Sequence, residues 1–324
     1  MAKIDIISGF LGAGKTTLIK KLLMDALKGQ QVVLIENEFG EIGIDGGFLK
    51  DAGIEIKEMN SGCICCSLVG DFGTALQEVV ETYHPDRIII EPSGVGKLSD
   101  VIHAVERVQA EADLQLNSAT TVVDVTKCKM YLKNFGEFFK NQVEAASTII
   151  LSRTDLPKAT PEKVEEALKL IRELNPDVTV ITTPVEDLGG KKVLETMEGR
   201  KIDLSHVEEE QEHHHEEHHH HHAHEEHHHH HHADEVFQSW GRETIHKFEK
   251  AEIEEILQKL SADDTYGTVL RAKGMVEGTD GHWIYFDMVP EEADVREGAP
   301  EYTGRLCVIG AGLQEEKLEE LFGI

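Results

Sequence analysis

The chain has 324 residues and 40% apolar content, enough for about two domains with real cores. Its formal charge of -29, from 61 acidic and 32 basic residues, excludes nonspecific affinity for nucleic acid or an anionic membrane. No apolar run approaches the ~18–20 residues that span a bilayer. The start of the chain enters an apolar strand directly, which predicts neither a signal peptide nor a transit segment and a cytoplasmic location. Five cysteines, an odd number with Cys63, Cys65 and Cys66 crowded together, suit a reducing compartment and a thiol site better than a disulfide scaffold.

The first predicted strand carries Ile4, Ile6 and Ile7, a β-branched run suited to burial. Gly9, Gly12 and Gly14 follow, then Lys15, Thr16 and Thr17, and a helical pattern continues through Leu18, Leu22, Leu23 and Leu27. This is GxxxxGKT between a strand and a helix, the setting in which the pattern has a mechanism. Glycine lets the amides turn inward around a phosphate, and the new helix aims its free N–H groups at the same anion. Gly9, Gly12, Ala13, Gly14, Lys15, Thr16 and Thr17 are therefore the predicted nucleotide cradle. Lys15 reaches the β- and γ-phosphates, and the Thr16 hydroxyl is a ligand for Mg²⁺.

Val32 to Ile35 reads as a second buried strand, ending in Glu36-Asn37-Glu38-Phe39-Gly40-Glu41. Ile54 to Met59 reads as a third, followed by Asn60-Ser61-Gly62-Cys63-Ile64-Cys65-Cys66. A helix then runs to about Tyr83 with Leu68, Phe72, Leu76, Val79 and Val80 on one face. Arg87 to Glu91 is an Ile-rich strand closed by Glu91-Pro92-Ser93-Gly94. Open parallel sheets place ligands at such carboxyl ends. There Glu91 can hold Mg²⁺ through water, and Gly94 can turn its N–H to a phosphate. Lys15, Glu91 and Gly94 form the predicted catalytic set.

Ser99 or Asp100 is the expected cap of the next helix, which carries Val101, Ile102, Val105 and Val108. Thr121 to Val125 and Thr148 to Leu151 are predicted strands, the latter leading into Ser152-Arg153-Thr154-Asp155. Asp155 stands either as a loop cap or as a purine reader, since guanine offers a carboxylate two adjacent N–H donors and adenine does not. Thr160-Pro161 starts a helix that ends near Asn175-Pro176, before a strand from Val178 to Thr182. The alternation predicts an α/β fold, a mostly parallel sheet covered by helices, over residues 1–202.

Between Ser205 and Glu235 lie ten acidic residues, 16 of the 20 histidines and no Lys or Arg. This stretch, the core of a predicted linker over 203–235, cannot bury enough apolar surface to order itself. His213, His214, His215, His218, His219, His220, His227, His228 and His229 are candidate ligands for Zn²⁺, Co²⁺ or Ni²⁺. Residues 236–324 read as a small α+β domain. It has a helix carrying Ile253, Ile256, Leu257 and Leu260, strands at Thr268 to Val276, His282 to Val289 and Glu301 to Ile309, and a last helix from Leu313 to Phe322. Gly278-Thr279-Asp280-Gly281 is the expected hairpin turn.

Cys63, Cys65 and Cys66 supply soft thiolates in a spacing too tight for a two-armed zinc knuckle. Three thiolates leave a coordination sphere that Glu36, Glu41 or a histidine could complete, and an incomplete sphere favours transfer. Buried metal-free cysteines and a dithiol redox pair are the alternatives. Cys128 and Cys307 read as core cysteines. His84, His103, His246 and His282 carry no spacing signal and read as ordinary surface or core-edge residues.

Taken together, Gly9-Phe10-Leu11-Gly12-Ala13-Gly14-Lys15-Thr16-Thr17, Glu36-Asn37-Glu38-Phe39-Gly40-Glu41, Gly62-Cys63-Ile64-Cys65-Cys66 and Glu91-Pro92-Ser93-Gly94 resemble the CobW-type metallochaperone GTPases, a family of P-loop proteins. These are relatives of the nickel-insertion GTPases of urease and hydrogenase. Arg271-Ala272-Lys273-Gly274 is similar to the signature of that family's C-terminal domain. The resemblance implies Mg²⁺-dependent GTP hydrolysis coupled to delivery of zinc or cobalt, with nickel also fitting, to a client metalloprotein or a metal-cofactor pathway. It implies that Glu36 to Glu41 is a switch, that Cys63, Cys65 and Cys66 form the transferable metal site, and that Asp155 reads guanine. It leaves room for a homodimer. The usual Asn-Lys-x-Asp of the family is Ser152-Arg153-Thr154-Asp155 here, which removes the Asn amide. The alternative function is a metal buffer and interaction module in which nucleotide only stabilises the fold.

Overall fold

The computed structural model describes residues 1–37, 55–59, 69–109, 113–204, 207, 236–262 and 264–324. Seven strands form the first sheet: β1 (Ala2–Gly9), β2 (Val32–Asn37), β3 (Glu55–Met59), β4 (Arg87–Glu91), β5 (Leu114–Asp124), β6 (Thr148–Ser152) and β7 (Thr179–Ile181). Their order is β3-β2-β4-β1-β5-β6-β7, and every pairing is parallel. Alternate residues of the central strands enter two separate apolar clusters. Ile4, Ile6, Val33, Ile35, Ile88 and Ile90 face one, and Ile7, Val32, Leu34 and Ile89 the other. Burial on both faces explains why these strands read as unbroken apolar runs.

The second cluster is covered by α1 (Lys15–Asp25) and α8 (Gly190–Met197). The first is covered by α2 (Val69–Tyr83), α3 (Leu98–Gln109), α4 (Cys128–Asn134), α5 (Gly136–Glu144) and α6 (Pro161–Leu174). A short helix α7 (Val185–Leu188) precedes α8. Thr160 caps α6 as its sequence predicts: its hydroxyl accepts from the Lys163 amide at 3.4 Å and Pro161 follows at the first helical position. Thr160→Ala is expected to cost about 1 kcal/mol, read as a lower urea midpoint at constant slope.

Residues 236–324 build a second, antiparallel sheet from β8 (Gln238–Thr244), β9 (Thr268–Glu277), β10 (Trp283–Val289), β11 (Glu292–Gly298) and β12 (Gly304–Ala311), ordered β11-β10-β9-β12-β8. The expected turn joins β9 to β10, closed by the Gly278 amide donating to the His282 carbonyl at 2.7 Å. Helices α9 (Lys250–Ala262) and α10 (Glu315–Phe322) cover one face, around Trp240, Leu306 and Val308. The opposite face contributes Leu270, Cys307 and Ile309, with Phe237, to the core of the parallel sheet. The fold is thus a P-loop α/β domain with a small C-terminal α+β domain packed against it.

Several expectations need correction. Ser99 and Asp100 do not precede α3 but lie inside its first turn, where the Ser99 amide donates to the Asn141 side chain at 3.1 Å. A tertiary partner has replaced the local cap. Helices α4 and α5 carry no sustained period because the chain breaks at Phe135 (φ -139°, ψ 40°) and restarts the phase. Strand β11 is an edge with only Val295 partly buried, so its residues do not alternate. The last strand begins at Gly304, not Glu301.

Candidate nucleotide and metal site

Because β1 is hydrogen-bonded to β4 on one side and β5 on the other, the loops after these three strands open at one edge of the sheet. The loop after β1 is the GxxxxGKT segment. Gly12 (φ 68°) and Gly14 (φ 102°) occupy the left-handed region that a side chain resists. Lys15 is buried, and its ammonium curls back to donate to the Gly9 carbonyl at 2.9 Å and the Phe10 carbonyl at 3.5 Å. The loop is anchored from beneath. Phe10 packs on Tyr131 with ring centroids 4.3 Å apart, and the Tyr131 hydroxyl donates to the Leu11 carbonyl at 3.2 Å. Phe237, where the C-terminal domain begins, joins the same aromatic group at 5.3 Å from Phe135.

Thr16 and Glu91, 75 residues apart, meet at this edge: the Thr16 hydroxyl lies 3.3 and 3.4 Å from the two carboxylate oxygens. Glu36 is buried and sits beside Glu91 in the β2–β4 register. A hydroxyl and two carboxylates form the hard oxygen set that Mg²⁺ takes, so these residues fit that ion. Gly94 backs directly onto the phosphate loop, since a Cβ there would stand 2.8 Å from the Leu11 side chain. The Gln142 amide holds this second loop by donating to the carbonyls of Gly94 and Gly96, at 3.1 and 2.9 Å.

On the other side, β6 delivers Ser152-Arg153-Thr154-Asp155. Asp155 is exposed. Arg153 donates to the Gly12 carbonyl at 2.9 Å and stands 3.2 Å from Asp124. The residue that marks a departure in sequence therefore buttresses the phosphate loop. The Ser152 and Thr154 hydroxyls and the Lys127 ammonium are buried without a hydrogen-bond partner among the described residues. Burial lowers the Lys127 pKa to about 8; Asp124 opposes that shift and Arg153 reinforces it. Tyr131, Lys127, Gln142 and the grip of Arg153 were not legible as site features. No local pattern marks a residue that acts through a distant backbone carbonyl.

Glu41, Cys63, Cys65, Cys66 and the histidines from His213 to His229 lie outside the described residues. Among the described residues no group of three or more His, Cys, Asp or Glu is arranged to hold a metal ion. Cys128 and Cys307 are buried core cysteines, and burial, with Asp124 and Glu166 nearby, pushes the Cys128 thiol up to about 12. His84, His103, His246 and His282 are exposed. No helix among the described residues is long and apolar enough to cross a membrane.

A parallel sheet with this loop between β1 and α1 defines a P-loop nucleoside-triphosphatase fold. The chain belongs to the CobW/HypB/UreG family: the family's nucleotide-binding domain matches residues 3–182, and the cobalamin synthesis protein cobW C-terminal domain matches residues 237–323. It is 35% identical over 196 residues to the zinc chaperone CobW of Sinorhizobium sp, covering 52% of this chain and 53% of the relative. It is 33% identical over 169 residues to the zinc chaperone YeiR of Escherichia coli, covering 52% and 51%. The chain spans about half the length of these curated relatives. The Zn(II)-bound YjiA GTPase from E. coli aligns over 99% of this chain and 98% of its own, with 20% identity and a TM-score of 0.43. The chain is thus a P-loop protein with that family's nucleotide-binding domain followed by its C-terminal domain.

Proposed function

We propose that the chain hydrolyses GTP with Mg²⁺ and couples its nucleotide state to the binding and delivery of zinc or cobalt to a client metalloprotein or a metal-cofactor enzyme. The observation that carries the reading is the meeting of Thr16, Glu91 and the buried Lys15 at one edge of the sheet. In this reading residues 1–202 form the GTPase domain, 203–235 a metal-binding linker and 236–324 the C-terminal domain.

Gly9, Gly12, Ala13, Gly14 and Thr17 cradle the phosphates through their amides, and Lys15 exchanges its two carbonyl partners for β- and γ-oxygens. Thr16 and Glu91, with Glu36 beside them, would hold Mg²⁺, which when bound would supply positive charge to offset that of the phosphates. Gly94 turns its amide to the γ-phosphate, and Asp155 accepts from guanine. Cys63, Cys65 and Cys66, with Glu36 or Glu41, bind the cargo metal, and the histidine tract stores more of it. Glu36 belongs to both sets, which supports coupling between them. Glu36, the penultimate residue of the strand that leads to Glu41, pairs with Glu91, so a nucleotide bound beside Glu91 and a metal held by Glu36 bear on neighbouring strands.

Such coupling acts in both directions, typically by ~5–150-fold in affinity. Zinc titration with GDP bound and with a nonhydrolysable GTP analogue bound is expected to give different affinities for the tighter metal class. Equal affinities would reject the coupling.

A further inference from the structure

The C-terminal sheet touches the phosphate loop through the turn between β10 and β11, where Val289 pairs with Glu292. The Val289 side chain lies directly on Gly12: a Cβ on that glycine would stand 2.5 Å from Val289 Cγ1. Glu292 forms an ion pair with Arg153, and Glu291 stands 3.6 Å from the Lys158 ammonium. Arg153 thus grips the Gly12 carbonyl, Asp124 and the C-terminal domain at once.

The seam is also where the backbone is least relaxed. Among the described residues three non-glycines have positive φ, and two of them, Arg153 (φ 60°) and Glu291 (φ 68°), belong to this contact. Such conformations persist where surrounding contacts impose them and concentrate at clamps and switches. The charge pattern is equally pointed. The turn brings two carboxylates beside a loop built to surround a polyphosphate. Glu292 pairs with Arg153, which holds that loop at Gly12, Glu291 pairs with Lys158, and buried Lys127 lies within electrostatic reach of Glu291.

We propose that the Val289–Glu292 turn is an intramolecular clasp on the phosphate loop that competes with the nucleotide's anionic phosphates for the cations around Arg153. Nucleotide entry loosens the clasp, and the clasp in turn weakens nucleotide binding. Because a triphosphate carries more charge than a diphosphate, it loosens the clasp further. This rests on the nucleotide site proposed above.

Hydrogen exchange of the full chain, with Mg²⁺ throughout, tests it without any substitution. Amides of residues 289–298 are expected to exchange faster with GDP bound than without nucleotide, and faster again with a nonhydrolysable GTP analogue. Glu291 and Glu292 side chains are 76% and 50% exposed, so Glu291→Gln with Glu292→Gln leaves the fold intact. That double variant is expected to bind the analogue about fivefold more tightly at low salt, at the modest end of coupling between sites, with the gain shrinking as salt rises. Nucleotide that binds the unaltered chain while the turn exchanges at an unchanged or slower rate overturns the clasp alone. Affinity of the double variant within twofold of the parent, or weaker, also overturns it. No nucleotide binding at all overturns both the clasp and the site it rests on.

Discussion

Lys15→Ala should reduce Mg²⁺-dependent phosphate release by about 10²–10³-fold, the usual cost of deleting one preorganised donor to developing charge, and should also weaken nucleotide binding. The reason is positional. The Lys15 ammonium is buried inside the loop and aimed at two carbonyls of that same loop, 2.9 and 3.5 Å away. It therefore needs only a short swing, and no new ordering of a surface side chain, to reach the anion. Lys15→Arg should not rescue, because a planar guanidinium is larger than the point charge the curled loop encloses. Titration with a fluorescent GDP analogue and a phosphate-release assay read the two effects. Affinity in Lys15→Ala within threefold of the parent would show that the loop binds its ligand by amides alone, contrary to the mechanism proposed.

Arg87→Met should produce the largest loss of stability, about 3–5 kcal/mol, the cost of leaving one partner of a buried pair uncompensated. Arg87 is 3% and Asp5 2% exposed, and the two are ion-paired beneath the amino edge of the sheet. Asn117 and Ser118 donate to the same Asp5 oxygen at 2.7 and 2.6 Å, and Arg87 reaches Glu198 at 2.7 Å. Methionine roughly keeps the volume but leaves the buried Asp5 carboxylate with no opposite charge, held only by the neutral Asn117 and Ser118 donors. A domain of this size should lose about 6–20 °C from its thermal midpoint. Below that midpoint nucleotide affinity should be unchanged, because the network lies at the opposite edge from the phosphate loop.

The same network carries an acid limb. Partial burial pushes the Glu198 carboxyl up, but bonds from Arg87 and Lys3 outweigh it and hold the group below its ordinary 4.5. A depressed folded-state pKa means stability that is present above 4.5 and lost as pH falls through the lower, folded value. Glu198→Gln should flatten that limb in urea melts taken across acidic pH.

The phosphate loop was legible because its parts are contiguous: a β-branched run, three spaced glycines and a helix start fall within residues 4–18. The parallel α/β class followed from the apolar runs and long crossovers, and the Thr160 cap from two adjacent residues. Helices α4 and α5 were not legible, since the break at Phe135 leaves each too short to show a period. The same holds for β11, an edge strand with little to bury.

Local sequence, then, determined the position of the phosphate-loop segment, the family and most of the order of strands and helices along the chain, because propensity and period act over a few residues. Strand order across the sheet decided the rest. It set Glu91 against Thr16 from 75 positions away, put Glu36 in register beside Glu91, and let Arg153 hold Gly12 from 141 positions away while pairing with Glu292. Those contacts depend on which strands become neighbours, a property of the assembled sheet that no segment of the chain encodes alone.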